Sequence, residues 1–283
     1  MGKANKQKIE LAEVVEMVYL IQTLKDIADN KYFTLMNEKD TFKRFVESFS
    51  EYFRLMNLTE SKHLLVSNSN QTVGLVVVTV EGSFLSGFNN KIIKRAIDEK
   101  ENHEDFKFIA IGEKAQDRLK DYGEKVKNFS RMDEVGLYET AVGVKEYLID
   151  EIMNDRMGKV MVFYSWPKSF EVQKIRATKL LPCDELLSKH DANVNIIENV
   201  IRESEPDEII GYLSNLWITN RLYEIFVDTT ISSAAAQASL LEDSVNRMKK
   251  EKAKTALKFS KAKKMDIDKG LRETFSARMM VSK

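Results

Sequence analysis

Near the N-terminus, apolar residues step by three and four. Leu11, Val14, Val18, Ile21, Leu24 and Ala28 fall on one face of a helix. A second helical stretch follows, marked by Phe42, Phe45, Phe49, Phe53 and Met56 at similar steps. Toward the C-terminus the same spacing returns in Leu213, Leu216, Trp217, Leu222, Ile225 and Phe226, then in Leu241, Val245 and Met248. Beyond these the stripe thins to Lys252, Thr255 and Phe259. Each end has an apolar face that must be covered. Two arrangements meet that need: two helices of an ordinary bundle, or an antiparallel coiled coil formed by the ends of the chain.

Between the ends the pattern changes to alternating strand and helix. Leu75–Val80 is a short β-branched apolar run of the kind buried inside a doubly covered sheet. A loop over Glu81–Asn90 leads to a helix near Lys91–Glu99, then a strand at Phe106–Ile111 and a helix at Glu113–Tyr122. Gly136–Asn154 reads as a longer helix, and Lys159–Trp166 and Phe170–Leu181 as two strands joined at Pro167. This alternation predicts a three-layer α/β domain with a mainly parallel sheet. The expected fold is α/β: a central Rossmann-like domain plus a long antiparallel coiled coil of N- and C-terminal helices. The segments are residues 1–60 and 206–283 for the helices and 73–205 for the α/β domain.

Helix breakers agree with this division. Of 11 glycines only Gly2 and Gly270 fall outside the stretch from Gly74 to Gly211, and that stretch holds all 3 prolines. From Pro206 to Gly270 there is room for a helix of about 60 residues, roughly 90 Å long. A compact domain has no need of such a rod, which suits a mechanical or scaffolding role.

Composition narrows the function classes. The 44 basic and 44 acidic residues cancel, so no bulk attraction to nucleic acid or an acidic membrane surface is expected. A single cysteine, Cys183, leaves no intrachain disulfide or multi-cysteine metal site and fits a reducing compartment. No signal-peptide core and no window of about eighteen apolar residues is present, so a soluble or peripheral cytoplasmic protein is expected.

Candidate chemistry is sparse. After the first strand, a nucleotide site would need G-x-G-x-x-G or a P-loop lysine followed by Ser or Thr. Gly82 and Gly87 are not spaced that way, and a structural turn is the expectation. His63, His103 and His190 have no ligand spacing, and Cys183 has no activating base in sequence. No cofactor is expected. Charge is more informative: Arg247, Lys249, Lys250, Lys252, Lys254, Lys258, Lys261, Lys263 and Lys264 are opposed only by Glu251. Such a run is a solvated face, a nucleic-acid stripe or a face turned toward an acidic protein. Phe259 is its one aromatic, so base stacking is poorly supported. After Gly270, Leu271, Phe275 and Met279 recur every four residues beside Met280 and Val281, giving either a frayed tail or a tip seeking an apolar socket.

Several segments, in order, resemble the γ subunit of F-type ATP synthases, the rotor shaft. Glu205-Pro206-Asp207-Glu208-Ile209-Ile210, with Tyr212-Leu213, Trp217, Arg221-Leu222-Tyr223 and Ser232-Ser233, is similar to that family's E-P, apolar helix, L-Y, S-E progression. Thr79 to Asn89, with Gly87-Phe88-Asn89, resembles its T-S-D-R-G-L-C-G-x-F-N stretch. Ile111-Gly112-Glu113-Lys114 and Tyr122-Gly123 resemble its I-G-x-K and G pair. Phe259 to Leu271 resembles its F-N-x-x-R-Q-x-x-I-T-x-E-L. Lys263-Lys264 stand where the family has Arg-Gln, keeping charge and losing the planar fork. Glu10, Glu13 and Glu16 replace basic and amide residues, and Ser232-Ser233 replaces S-E. These departures fit a divergent paralogue serving a specialised ATP-hydrolysing motor.

The resemblance implies a non-catalytic central stalk inside a hexamer of alpha- and beta-like ATPase subunits, joined to an epsilon-like subunit and, in a standard synthase, to a membrane rotor ring on the inner face of the cell membrane. It implies contact with the catalytic subunits through Lys254, Lys258, Lys261, Lys263 and Lys264, and a bearing tip at Leu271, Phe275, Met279 and Met280. Nucleic acid is not an expected partner. The rival expectation is an α/β nucleotide-binding enzyme dimerised through its helical arms, and a third is a nucleic-acid-binding coiled coil.

Overall fold

The computed structural model describes residues 3–55, 63–82, 85–129, 136–183 and 204–281, with residues 40–55, 206 and 281 described by backbone alone. They divide into two compact units: residues 1–30 with 237–283, and residues 31–236. The grouping follows space and cuts through both terminal helices, where the sequence segments 1–60, 73–205 and 206–283 follow chain order.

Helix α1 is Lys3–Leu55 and helix α5 is Pro206–Val281; between them lie β1 (Val73–Val78), α2 (Ser86–Lys100), β2 (Phe106–Ile111), α3 (Glu113–Leu119), β3 (Val126–Phe129), α4 (Leu137–Met153), β4 (Lys159–Pro167) and β5 (Gln173–Leu181). The two N-terminal helical stretches expected from sequence are one continuous helix, because no Gly or Pro interrupts residues 3–55. Met56 and His190 lie outside the described residues.

In residues 31–236 five strands form one sheet in the order β3-β2-β1-β4-β5, parallel except for β5, which runs antiparallel to β4. Alternate residues of β1 face opposite layers, as the two-residue period of a strand requires. Val73, Leu75 and Val77 pack with Ile92, Ile93 and Ala96 of α2 and Ala115 and Leu119 of α3. Val76 and Val78 face the other way, toward Ala141, Val144 and Leu148 of α4 and Ile218, Leu222 and Phe226 of α5. Both faces are therefore covered, and β1 is fully buried.

The boundaries differ from expectation for physical reasons. The first strand begins at Val73 rather than Leu75, pairing with Phe106 and Lys159, and ends at Val78; Thr79 and Val80 stay buried beyond it. The second matches residue for residue. Helix α2 begins at Ser86, inside the expected loop, and takes Gly87 into its first turn. Strand β3 was not anticipated: Val-Lys-Asn-Phe is a four-residue edge strand with its middle exposed, too short and polar to stand out. Pro167 is the last residue of β4 rather than a turn.

A buried charge fastens α4 to the sheet. Glu151 accepts hydrogen bonds from Lys107 Nζ at 2.6 Å and Arg156 Nε at 2.8 Å. Burial alone would raise its carboxyl, and the two cations overcome that and hold it below its ordinary value.

Gly112, between β2 and α3, has φ near +90°, and a Cβ there would lie 2.7 Å from Thr79 Oγ1 and 2.9 Å from the Thr79 carbonyl oxygen. Gly112→Ala should combine backbone strain with a clash against fixed atoms and cost roughly 2–4 kcal/mol. The expected result is a clear fall in the urea midpoint, while Gly87→Ala, in open space, should leave it unchanged or raise it.

Candidate functional site

In the unit formed by residues 1–30 and 237–283, the less exposed positions of α1 include the series Ala4, Gln7, Leu11, Val14, Val18, Ile21, Lys25 and Ala28, with Glu10, Gln22 and Asp29 partly covered beside it. The steps of that series alternate strictly between three and four. On α5 the corresponding series is Ala238, Leu241, Val245, Met248, Thr255, Phe259 and Ala262, with exposed Lys252 in the same register. A repeat averaging 3.5 residues is that of a left-handed coiled coil. The Ala4 backbone N–H donates to Asp266 at 3.3 Å, and Lys25 Nζ lies 3.8 Å from Glu242. Rising numbers on one helix thus meet falling numbers on the other, so the pairing is antiparallel.

The strict repeat corrects one seam assignment. After Ile21 the next seam position is Lys25, so Leu24 turns outward and is 39% exposed. Lys25 tolerates the seam because its ammonium donates to Asp29 at 2.7 Å, which raises it above its usual value. The apparent thinning of the C-terminal stripe is a change of residue size: Thr255 and Ala262 are both buried. Gln7 Oε1 and Thr255 Oγ1 are buried with no hydrogen-bond partner among the described residues. Unmet polar atoms weaken a seam and also penalise slipped registers.

The basic run lies on this unit. Lys254, Lys258, Lys261, Lys263 and Lys264 are all exposed. Lys254 lies 3.4 Å from Glu251, an exposed pair worth under about 1 kcal/mol. Lys258, Lys261, Lys263 and Lys264 have no acidic partner among the described residues. From Lys263 to Met280 every residue of α5 is exposed, and Leu271, Phe275, Met279 and Met280 are each more than half exposed.

The motif residues in the other unit have structural duties. Asn89 is buried, accepts from the Val80 N–H at 3.2 Å and donates to the Val80 carbonyl at 2.8 Å, closing the loop after β1. Phe88 packs against both core layers, and Gly87 is exposed in the first turn of α2. Thr79 Oγ1 donates to the Ile111 carbonyl at 2.8 Å and accepts from the Ala115 N–H at 3.2 Å. Glu81 Oε1 accepts the Glu113 N–H at 2.7 Å, so the chain's own carboxylate sits at the N-terminus of α3. Glu205, Pro206 and Asp207 begin α5: the Glu205 carbonyl accepts from Ile209 N–H at 3.1 Å, Pro206 takes the first helical position and Asp207 supplies first-turn negative charge. His63 is half-buried, and desolvation lowers its pKa against the opposing pull of Asp207. Cys183 is buried, and His103 lies 3.7 Å from Glu99. Among the described residues no cluster of three or more His, Cys, Asp or Glu could hold a metal, and no helix is long and apolar enough to cross a membrane.

A family model described as ATP synthase matches residues 3–278. The chain belongs to this family. An ATP synthase gamma chain of Lachnoclostridium phytofermentans is 22% identical over 279 residues, covering 96% of this chain and 94% of that one. Among solved structures, the central stalk and c-ring of the Tetrahymena thermophila mitochondrial ATP synthase includes a chain with TM-score 0.57 and 16% identity, covering 80% of this chain and 99% of its own. The rotor of the Euglena gracilis mitochondrial ATP synthase includes one with TM-score 0.59 and 14% identity, covering 93% and 98%. At these identities the structures establish a shared fold: a parallel-dominated sheet with long terminal helices.

Sequence reasoning missed Lys39 and Asp228. These residues, on α1 and α5 within residues 31–236, form an ion pair in which the carboxylate is buried. No local pattern signals a contact 189 positions apart. Burial raises the Asp228 carboxyl to about 6, outweighing the opposite pull of Lys39. The folded chain then holds this proton more tightly than the unfolded chain, whose value is near 3.8. Its stabilising contribution is full below the unfolded value and is lost as pH rises through about 6, amounting to at most about 3 kcal/mol. Urea midpoints taken between pH 4 and 7 should carry this falling component, and Asp228→Asn should remove it.

Proposed function

We propose that this chain is the central stalk of an F-type rotary ATPase, a shaft that couples ATP synthesis or hydrolysis in a catalytic hexamer to rotation. The observation that carries this reading is the antiparallel helical pair that leads into a fully exposed length of α5, basic along its side and apolar at its end. The family and the gamma-chain relative support it. Its partners are alpha- and beta-like subunits as a hexamer, an epsilon-like subunit and, where the complex carries one, a membrane rotor ring. The chain works in the cytoplasm, peripheral to the membrane in such a complex.

The stalk itself performs no chemistry. At the end of the sheet where an α/β fold would bind a nucleotide, Thr79, Asn89 and Glu81 hydrogen-bond to the protein's own backbone. This favours the stalk over the rival nucleotide-binding enzyme. Lys254, Lys258, Lys261, Lys263 and Lys264 face acidic surfaces of the catalytic subunits. As those subunits close in turn, the attractive contacts shift around the shaft and push it without bond making or breaking. Leu271, Phe275, Met279 and Met280 turn in an apolar bearing. In Lys263-Lys264 mobile ammonium groups take the place of a planar guanidinium, so the contact is less tied to direction. That suits a specialised hydrolytic motor.

The Lys263→Glu, Lys264→Glu double variant should leave the folded chain intact, since both side chains are exposed. Reversing two charges should lower coupled ATP hydrolysis and torque in the assembled complex by roughly tenfold. Unchanged hydrolysis and torque, in a complex shown to contain the variant, would remove the catalytic-contact assignment.

A further inference from the structure

The Lys39–Asp228 ion pair takes no part in the motion proposed for the stalk, yet it sits where α5 is most enclosed. From Ile225 to Ala235 every residue of that helix is buried. The Asp228 side chain is 3% exposed and that of Lys39, which reaches it from α1, 17%. One turn before Asp228, Glu224 accepts from Arg221 Nη1 at 2.5 Å, and Arg221 also feels Asp228 and the Tyr164 phenol of β4. Buried pairs add little stability as a rule, because taking two charges out of water costs about what their attraction returns. Here burial outweighs the pull of Lys39 on the Asp228 carboxyl. What remains for such a pair to supply is a geometric condition.

We propose that Lys39–Asp228 is a register lock, which fixes how far along α5 helix α1 lies within residues 31–236. The other contacts of α1 there are apolar. Leu35 and Met36 pack half-buried against the core, and Tyr32 meets Phe170 edge-on with ring centroids 5.0 Å apart. Apolar contact is non-directional, so it distinguishes one helical turn from the next less sharply than a buried charge does. A slip of one turn, about 5 Å, takes Lys39 away from Asp228 in either direction. On one side along α5 stands Glu224, already held by Arg221; on the other stands Ser232, buried and uncharged. Lys43, one turn on from Lys39 in sequence, does not relieve the second slip, since the Lys39 ammonium would still lack a carboxylate. The lock belongs to the folded chain, and its use under load rests on the stalk reading: helices that creep along one another would waste rotation as play.

The test compares the full chain with a Lys39→Met, Asp228→Leu variant, which removes both charges together. Each carries spin labels on cysteines placed at exposed Thr34 of α1 and Leu216 of α5, with buried Cys183 left as it is. At pH 7 the urea midpoint of the double variant should equal or exceed that of the native chain, while Asp228→Leu alone, which strands Lys39, should lower it. The distance between labels, single in the native chain, should gain a second value displaced by up to about 5 Å in the double variant. If that variant does not fold, Lys39→Gln, Asp228→Asn replaces it. An unchanged single distance in the folded variant overturns the lock, as does a midpoint that falls as far in the double variant as in Asp228→Leu. In the purified complex the double variant should hydrolyse ATP at the native rate and stall at lower torque; native torque despite a second distance overturns the use under load. Purification of the chain without nucleotide-binding subunits overturns the stalk reading and leaves the lock standing on the label distances.

Discussion

Two helices can share a straight seam only if their contact residues recur every 3.5 positions, and both ends of this chain keep that repeat. The seam is modest in apolar content. Ala4, Ala28, Ala238 and Ala262 contribute little area, and Gln7, Lys25 and Thr255 are polar. Small residues let the two backbones approach closely, while each polar residue disfavours sliding by a turn. Such a seam trades strength for a defined register. The same two helices also enter the second unit, where α5 supplies Ile218, Leu222 and Phe226 to the core and α1 supplies Tyr32.

In that unit three buried polar groups are fasteners. Asn89 closes a loop, Glu151 ties α4 to β2, and Thr79 joins the end of β1 to β2 and α3. Each meets its partners with little distortion, the arrangement in which burying a polar group costs least. The exposed groups follow another logic. Basic side chains on α5 and the apolar side chains of Met17, Leu20 and Ile27 on α1 remain open to solvent.

How much of this was legible depended on range. Phe106–Ile111 could be read residue for residue, because an apolar strand flanked by polar turns declares itself locally. The long helices were visible in the distribution of glycine and proline, and the basic run and apolar tip in the bare order of residues. Leu24 was misplaced because a step of three after Ile21 is as good locally as the step of four the seam requires. Lys25 is charged and gives no apolar signal at its seam position. Strand β3 exists through pairing with β2, which its own four residues do not announce. The Lys39–Asp228 pair and the Glu81 contact at Glu113 join distant positions through side chains, and neither leaves a periodic trace.

Glu81 has one consequence beyond holding a loop. The start of α3 offers the partial positive charge that elsewhere attracts phosphate, and here a carboxylate already occupies it. A phosphate arriving from solution meets charge of its own sign and backbone donors already engaged. The domain keeps the outline of a doubly covered α/β fold while its own carboxylate stands at this helix start. A helix start capped from within leaves fewer backbone donors for any anion to find, so the loop's own acid, rather than a ligand, fixes how β1 meets α3.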